Sequence, residues 1–433
     1  MRGARPIGRW ATLWVALTAS AAAADDYSFD VTAFEKKPFE WSGFVELRSE
    51  HFDLDRDAAL YRLNTFDQAQ DLSPRRFTGS LELNGLYRKG IASVQGTWHG
   101  DTIHDDLQDT TQGTLYEGFV ALDPATGVRL EAGKRAQRWG KGYAFSAVGF
   151  VERVKDPNDP TLSREGFVML GGSFTRSLDG PLQTATFTPL LVPTGDDLNT
   201  DFGPGDHANP AARLSLLYRD TDIDFLYLGS GARSARFGVD FSRNLASHIE
   251  IHGEWAYISE VDKPVLEAGG NLSRNSGSAQ SFLLGLRYLS ESEVTTIVEY
   301  YYNGAGYDEG ELSDYLSFVQ DGYAQSEATG NSAALQKARQ VQPSYARPNA
   351  GQRYLYLRSS WKDAFDILYL TPALTVIANL DDRSYQVTPE FSYTGIENLE
   401  LRLRLSLLQG DALTEFGEKP NDRRAELRLR YFF

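Results

Sequence analysis

The stretch NDRRAELRLRYFF, residues 421–433, decides the fold class of this chain. Its apolar side chains stand at every second position and charged side chains fill most of the places between them. The apolar set is Ala425, Leu427, Leu429, Tyr431 and Phe433, and the charged set is Arg424, Glu426, Arg428 and Arg430. Because successive side chains of a β-strand point to opposite faces, this alternation predicts a strand with one apolar face and one charged face.

The same stretch resembles the closing strand of Gram-negative outer-membrane β-barrels, which ends in Phe, with Tyr two residues earlier and apolar residues at alternate positions. The resemblance implies a porin-like barrel in the cell outer membrane, surrounded by lipid and lipopolysaccharide. It also implies that Tyr431 and Phe433 form the signal that the barrel-insertion machinery reads. The remainder of the chain offers independent tests of this interpretation.

The N-terminal 24 residues predict a secretory signal peptide. Three arginines precede an apolar core at 10–17, and the small-residue run Ala22–Ala24 offers a cleavage site. The apolar core is too short to span a bilayer as a helix. We expect residues 25–433 to form a single outer-membrane barrel domain after export. The chain contains no Cys, which excludes disulfides and thiolate chemistry.

Alternating segments recur through most of residues 39–433, and each is near the ~10 residues that a tilted membrane strand needs. The chain holds 22 Tyr, 24 Phe and 7 Trp, yet no apolar run after the signal approaches a membrane helix in length. This combination is typical of a membrane barrel, in which only half the residues of each strand face lipid. The predicted fold is an all-β, antiparallel transmembrane barrel of about eighteen strands, in a range of about sixteen to eighteen.

The predicted connections alternate between short turns and long polar loops, as they do in outer-membrane barrels, where the short turns face the periplasm. Gly, Asp and Pro in the short connections supply the backbone angles of tight turns. The longest predicted loops cover residues 49–77, 137–165 and 304–351, and further polar loops are expected at 100–113 and 259–279. The helix-capable stretch 332–340 suits a lid or a site for a partner.

Arginines collect on the polar face of the strands that are expected to close the barrel. They are Arg402, Arg404, Arg424, Arg428, Arg430 and, on the first strand, Arg48. In one interpretation they form a track for anions, because same-sign charges lining a polar pore concentrate the opposite ion. In the other they pair with nearby carboxylates, namely Glu46, Glu390, Glu400 and Glu426. The formal net charge of −16 makes an arginine-rich wall unusual and favours the anion track.

The loop at 137–165 is a second candidate site. Its DPNDP stretch at 156–160 cannot continue a regular element. If this loop folds into the lumen, it forms a constriction whose cations meet the solute, namely Arg138, Lys141, Arg153 and Lys155. If it lies on the outer rim, these cations face solvent. The barrel size and lumen arginines resemble those of alginate-export-type barrels, and that resemblance implies passage of a polysaccharide or another anion.

The predicted function is therefore an outer-membrane porin or channel for passive passage of small hydrophilic solutes, anionic solutes or polysaccharide. The alternative is a sheath around a periplasmic or extracellular protein partner, as in porin–cytochrome electron conduits. No enzyme is predicted, because G-x-S-x-G is missing, and the acidic net charge argues against nucleic acid. No cofactor or metal site is expected. One strand face does carry two imidazoles and two carboxylates, at His248, Glu250, His252 and Glu254. Successive members of this set are ~6.6–7 Å apart along the strand, which is too wide for them to share one metal ion.

Overall fold

The computed structural model describes residues 38–68, 71–106 and 109–433, and the predicted signal peptide lies outside these residues. Eighteen strands make up most of the described chain. They are β1 (Phe39–Leu54), β2 (Arg75–Lys89), β3 (Ala92–Asp105), β4 (Asp109–Ala125), β5 (Val128–Arg135), β6 (Phe167–Ser177), β7 (Leu182–Thr194), β8 (His207–Tyr218), β9 (Thr221–Leu228), β10 (Arg236–Ala246), β11 (Ile249–Leu266), β12 (Leu272–Leu289), β13 (Val294–Tyr302), β14 (Arg353–Trp361), β15 (Leu370–Asn379), β16 (Tyr385–Ile396), β17 (Leu399–Gln409) and β18 (Asn421–Phe432).

Each strand pairs antiparallel with the strands before and after it in the chain, and β18 pairs with β1. The sheet therefore closes on itself and leaves no free edge, so that backbone hydrogen bonds are satisfied within the barrel wall. The predicted antiparallel transmembrane barrel is confirmed, and its strand number is eighteen.

The outer face of the barrel is apolar and the inner face is polar. Leu403 on β17 and Leu427 on β18 are 43% and 49% exposed, whereas Arg404 and Arg428, on the opposite face of the same strands, are 3% and 2% exposed. An exposed apolar belt on a closed barrel is the surface that lipid covers. The face assignment that the sequence alternation predicted for the closing strands is the one observed.

The two ends of the barrel differ in their connections. At one end, the turn end, strands join through short connections. Gly90 and Gly127 lie in two of these turns with φ of +60° and +76°, which glycine adopts without steric cost. At the other end, the loop end, the connections include the three longest in the barrel, at 55–74, 136–166 and 303–352.

Several loop boundaries predicted from the sequence are wrong because strands extend beyond the lipid-facing belt. Segment 259–279, expected as a loop, is the tip of the β11–β12 hairpin, whose pairing continues to Leu266 and Leu272. Segment 100–113 is likewise the tip of the β3–β4 hairpin, and the loop expected at 49–77 is shortened by the ends of β1 and β2. These tips lie beyond the lipid-facing belt, so neither face carries a regular apolar alternation.

Three helices form a layer at the loop end: α1 (Ala59–Thr65), α2 (Glu309–Thr329) and α3 (Ala333–Tyr345). Helix α2 begins with a reciprocal capping box between Asp308 and Glu311 and ends at Gly330 in the left-handed conformation. Among the described residues, no helix has the length and apolar character needed to cross a membrane. A short 3₁₀ turn at Ala364–Asp366 lies at the turn end.

Candidate functional site

The β5–β6 connection at 136–166 lies inside the barrel, and we call it the inner loop. It contacts inward-facing side chains on three separate parts of the wall: Glu254 on β11, Gln386 on β16 and Arg428 on β18. The sequence left two positions open for this loop, one in the lumen and one on the outer rim. In the structure the loop lies in the lumen. The inner loop therefore divides the interior of the barrel.

Two buried wall carboxylates hold the inner loop by its backbone. Glu254, 4% exposed, accepts hydrogen bonds from four backbone N–H groups between residues 141 and 148, at 2.6–3.3 Å. Glu299 on β13 accepts from the backbone N–H groups of residues 143–145 and lies 3.0 Å from Nε2 of His252. Charge-assisted hydrogen bonds of this kind are stronger than neutral ones, so the loop is fixed without regular secondary structure.

The far part of the inner loop is held by Asp159, which is 5% exposed. Arg428 donates to its carboxylate at 2.9 Å, and Arg402 and Arg404 lie 3.7 Å from the same oxygen. Burial opposes ionisation of Asp159, but attraction from the three guanidinium groups outweighs it and lowers the pKa of Asp159 below its ordinary value. An acid of the loop thus binds three of the arginines predicted from the sequence.

All six predicted wall arginines have a carboxylate within 4.0 Å, and we call them the arginine wall. The pairs are Arg48 with Glu50, Arg402 with Glu400, Arg404 with Glu390, Arg424 with Glu50, Arg428 with Glu426 and Arg430 with Glu46. This geometry corresponds to the interpretation in which the arginines pair with nearby carboxylates. Of the six, Arg402 and Arg404 also border a cavity.

Two water-accessible cavities lie on opposite sides of the inner loop. The turn-side cavity has a volume of ≈ 1200 Å³ and reaches wall residues near the turn end, such as Gln95 and Arg129. The loop-side cavity has a volume of ≈ 690 Å³ and lies against residues 347–349 of the β13–β14 connection. Four residues of the inner loop border both cavities: Glu152, Arg153, Lys155 and Arg164.

Cationic side chains outnumber carboxylates in the lining of both cavities, by eleven to seven in the turn-side cavity and by six to three in the loop-side cavity. The four predicted constriction cations, Arg138, Lys141, Arg153 and Lys155, all border the turn-side cavity. Lys141 lies 3.2 Å from Asp224 and Arg153 lies 2.9 Å from Glu165. Within the described part of the chain, no carboxylate lies within 4.0 Å of Arg138 or Lys155, and Lys155 donates to backbone carbonyls instead.

The residues that fix the inner loop were not identified as such from the sequence. In the sequence, Glu254 stands out only as one of four alternating residues on a strand face whose spacing disfavours a metal site, and Glu299 and Asp159 are not singled out individually. The contact between Glu299 and the N–H of Ala144 joins positions 155 residues apart, so no local pattern marks it. The available signal was weaker: an acidic residue on the inward face of a strand whose outward face is apolar.

The helical layer crosses the mouth of the barrel. Its apolar core includes Leu63 of α1, which follows β1, and Leu266 at the end of β11, nearly opposite β1 in the ring of eighteen strands. Tyr345 stacks between Tyr307 and Tyr315, with ring centroids 4.0 and 3.9 Å apart. The helix-capable stretch 332–340 predicted α3, but α2 was not predicted from the sequence. The Asp308–Glu311 capping box and Gly330 are sequence features typical of the start and the end of such a helix.

The structure is similar to solved structures of engineered porins. A double mutant of the Rh. blastica porin matches with a TM-score of 0.44 at 10% identity, over 91% of this chain and 100% of that chain. A triple mutant of the Rhodopseudomonas blastica porin matches with a TM-score of 0.42 at 11% identity over the same shares. No protein-family model matches the sequence, and no curated protein matches it. The barrel assignment rests on the strand pairing of the chain itself.

Proposed function

We propose that this protein is an outer-membrane channel for small hydrophilic solutes, with a preference for anions. The observation that carries the proposal is the pair of water-accessible cavities that meet at the inner loop. A solute moving between the loop end and the turn end passes the side chains that border both cavities, among them Arg153 and Lys155. Water-accessible spaces lined by charged side chains on both sides of a constriction suit a route for hydrophilic solutes.

Placement in the outer membrane is supported by the closed barrel, its apolar belt and the resemblance of the last strand to an insertion signal. Tyr431 is 49% exposed on the lipid-facing side. The backbone N–H of Phe433 donates to Gly43 at 3.1 Å, and its carbonyl accepts from Gly43 at 3.0 Å, so this residue extends the β18–β1 seam. In this proposal residues 1–24 direct export, and lipid and lipopolysaccharide surround the belt.

The preference for anions follows from the charges that lack a carboxylate partner. A low-dielectric wall strengthens the field of such charges inside a narrow lumen and raises the local concentration of the opposite ion. Arg138 and Lys155 supply uncompensated charge at the inner loop. Arg402 and Arg404 add a partly neutralised part of the track in the turn-side cavity, while the buried Arg428 serves to anchor Asp159.

The size of the route supports small solutes over a polysaccharide or a protein partner. The inner loop crosses the lumen, and the helical layer crosses the mouth. A sheath around a partner needs an open interior, and the loop occupies that space with contacts to Glu254, Glu299 and Arg428. We therefore favour the channel over the partner sheath.

Single-channel recording in planar bilayers tests the proposal. We expect discrete conductance steps from the purified, folded protein and a reversal potential of the anion-selective sign in a KCl gradient. The helical layer and the inner loop predict small steps, because both narrow the route. Folded protein that inserts into the bilayer but gives no conductance would overturn the channel, and a cation-selective reversal potential would overturn the anion preference.

A further inference from the structure

Two arginines at the loop-side cavity lack a counter-charge. Arg233 lies in the β9–β10 connection and Arg236 begins β10, and neither has a carboxylate within 4.0 Å among the residues described. Arg233 donates from Nε to the carbonyl of Phe202 at 2.5 Å and from Nη1 to the carbonyl of Phe150 at 2.8 Å. Nε of Arg236 is buried and has no hydrogen-bond partner in the described chain. Both side chains border the cavity.

Arg233 and Arg236 border the same cavity, and their positive charges repel each other. Burial, together with repulsion from Arg236 and Arg153, lowers the pKa of Arg233 to about 10, so that it remains protonated at neutral pH. Arg153 is itself compensated by Glu165 and Asp201. A partly buried pair of like charges without a carboxylate between them is stabilised when an anion binds.

Other cations extend the same surface. Lys155 donates to the carbonyls of Gly142 and Phe145 at 2.5 and 3.4 Å, and Arg347 lies exposed at the rim of the cavity. Neither has a carboxylate within 4.0 Å in the described part of the chain. The loop-side cavity therefore presents four uncompensated cations.

The carboxylates of the cavity do not offset this charge. Glu152 is paired with Arg164 at 2.7 Å, and Asp262 is paired with Arg274 on the neighbouring strand. Glu260 is the remaining carboxylate of the lining, and it is exposed. The excess of positive charge is thus a property of the cavity and is not removed by pairing within its walls.

We propose that the loop-side cavity is a binding site for a small oxyanion, with a phosphate or carboxylate group held by Arg233 and Arg236. Planar guanidinium groups present paired N–H donors that match the geometry of such oxyanions and not that of a spherical halide. A volume of ≈ 690 Å³ lies within the ~300–1,000 Å³ of small-molecule sites. This inference rests on the proposed channel function in one respect: the oxyanion must reach the cavity through the mouth of the barrel.

Calorimetric titration of the purified, folded protein tests this site with inorganic phosphate, malonate and chloride at low ionic strength. We expect saturable binding of phosphate, malonate or both, and weaker binding of chloride. The double variant Arg233→Gln/Arg236→Gln should weaken oxyanion binding by about tenfold or more, because it removes charged donors. Arg75→Gln, at an exposed rim position paired with Asp106, is the matched control and should bind as the wild type does.

Arg236→Gln alone is the second variant, since it leaves the hydrogen bonds of Arg233 to residues 150 and 202 intact. Heat-modifiable migration reports folding of every variant. Phosphate binding without malonate binding assigns the site to phosphate groups, and the reverse assigns it to carboxylates. Equal binding by the wild type and Arg236→Gln, or no saturable oxyanion binding by the folded wild type, would overturn the site.

The oxyanion site and the channel are separate proposals, and the two experiments can contradict either one without the other. A folded protein that binds the oxyanion but gives no conductance in bilayers retains the site and loses the channel proposal. A protein that conducts but shows no saturable binding retains the channel and loses the site.

Discussion

The arginine wall and the loop-side cavity place the same residue type on the inward face of the same barrel, but in opposite electrostatic settings. Arg428 is 2% exposed and has carboxylates of Glu46, Glu426 and Asp159 within 3.7 Å. Arg236 has no carboxylate that close in the described chain, and its Nε has no partner. The comparison shows that counter-charges, more than position on the wall, separate an arginine that holds the inner loop from one that can meet a solute.

The largest expected effect is on the free energy of unfolding, when one arginine is neutralised in the arginine wall and, for comparison, one in the loop-side cavity. Arg428→Gln removes a buried guanidinium that three buried carboxylates share, those of Glu46, Glu426 and Asp159, and should lower the free energy of unfolding by ~3–5 kcal/mol. Arg236→Gln leaves no carboxylate unpaired and should change it by about 1 kcal/mol or less. Denaturant unfolding in lipid vesicles measures both. Similar losses for the two variants would mean that pairing does not distinguish the two regions.

The next effect concerns the two faces on which the comparison depends. Leu403→Arg places a charge on the lipid-facing side near the middle of β17 and should cost ~2–4 kcal/mol. Gln95→Arg places the same charge in the turn-side cavity, where water and carboxylates can solvate it, and should cost much less. The same unfolding assay compares the variants. Equal destabilisation would contradict the face assignment.

A smaller effect is expected from weakening the contact between the inner loop and the arginine wall. Asp159→Asn removes a charge-assisted hydrogen bond worth ~1.5–3 kcal/mol and should raise the single-channel conductance, because the loop loses a tether in the lumen. Asp179→Asn, at an exposed position of the turn end, is the matched control and should leave the conductance unchanged. Unaltered conductance in Asp159→Asn would show that other contacts suffice to hold the loop.

The pH dependence of conductance sharpens the same test. The pKa of Asp159 is lowered from its ordinary value of 3.8, so its ionised contact is intact above that pH and is lost as the pH falls through the lowered pKa. This tether should contribute no conductance change between neutral pH and the ordinary carboxyl pKa of 3.8, and conductance should rise only as the pH falls below that value. Asp159→Asn should lack that acid step. An acid step of the same size in the variant would assign it to other groups.

Strand number and face were predictable because they follow from local alternation, as in Leu427 and Arg428. The tip of the β11–β12 hairpin was not, because it extends beyond the lipid-facing belt, where neither face needs a regular apolar alternation. The position of the inner loop was not predictable either, since it depends on Glu299 and other partners far away in the chain. Pairing of the arginines depends on register: Arg428 lies opposite Arg402 and Arg48. Its carboxylates come from Glu46 at a diagonal position, from Glu426 two residues earlier on β18 and from Asp159.

The reversal potential in a dilute KCl gradient tests most directly whether uncompensated cations set the selectivity. Replacing Lys155, Arg233 and Arg236 together by Gln should shift the reversal potential toward cations, most strongly near 0.01 M salt, where the Debye length is ~30 Å. A control with the same change in net charge replaces three exposed, paired arginines outside the cavities, namely Arg56, Arg75 and Arg423.

The account predicts an anion-selective wild type, a control that matches it and a cavity variant with reduced anion selectivity. An unchanged reversal potential in the cavity variant, with folding and conductance intact, would contradict the claim that these cations set the ion selectivity of the channel.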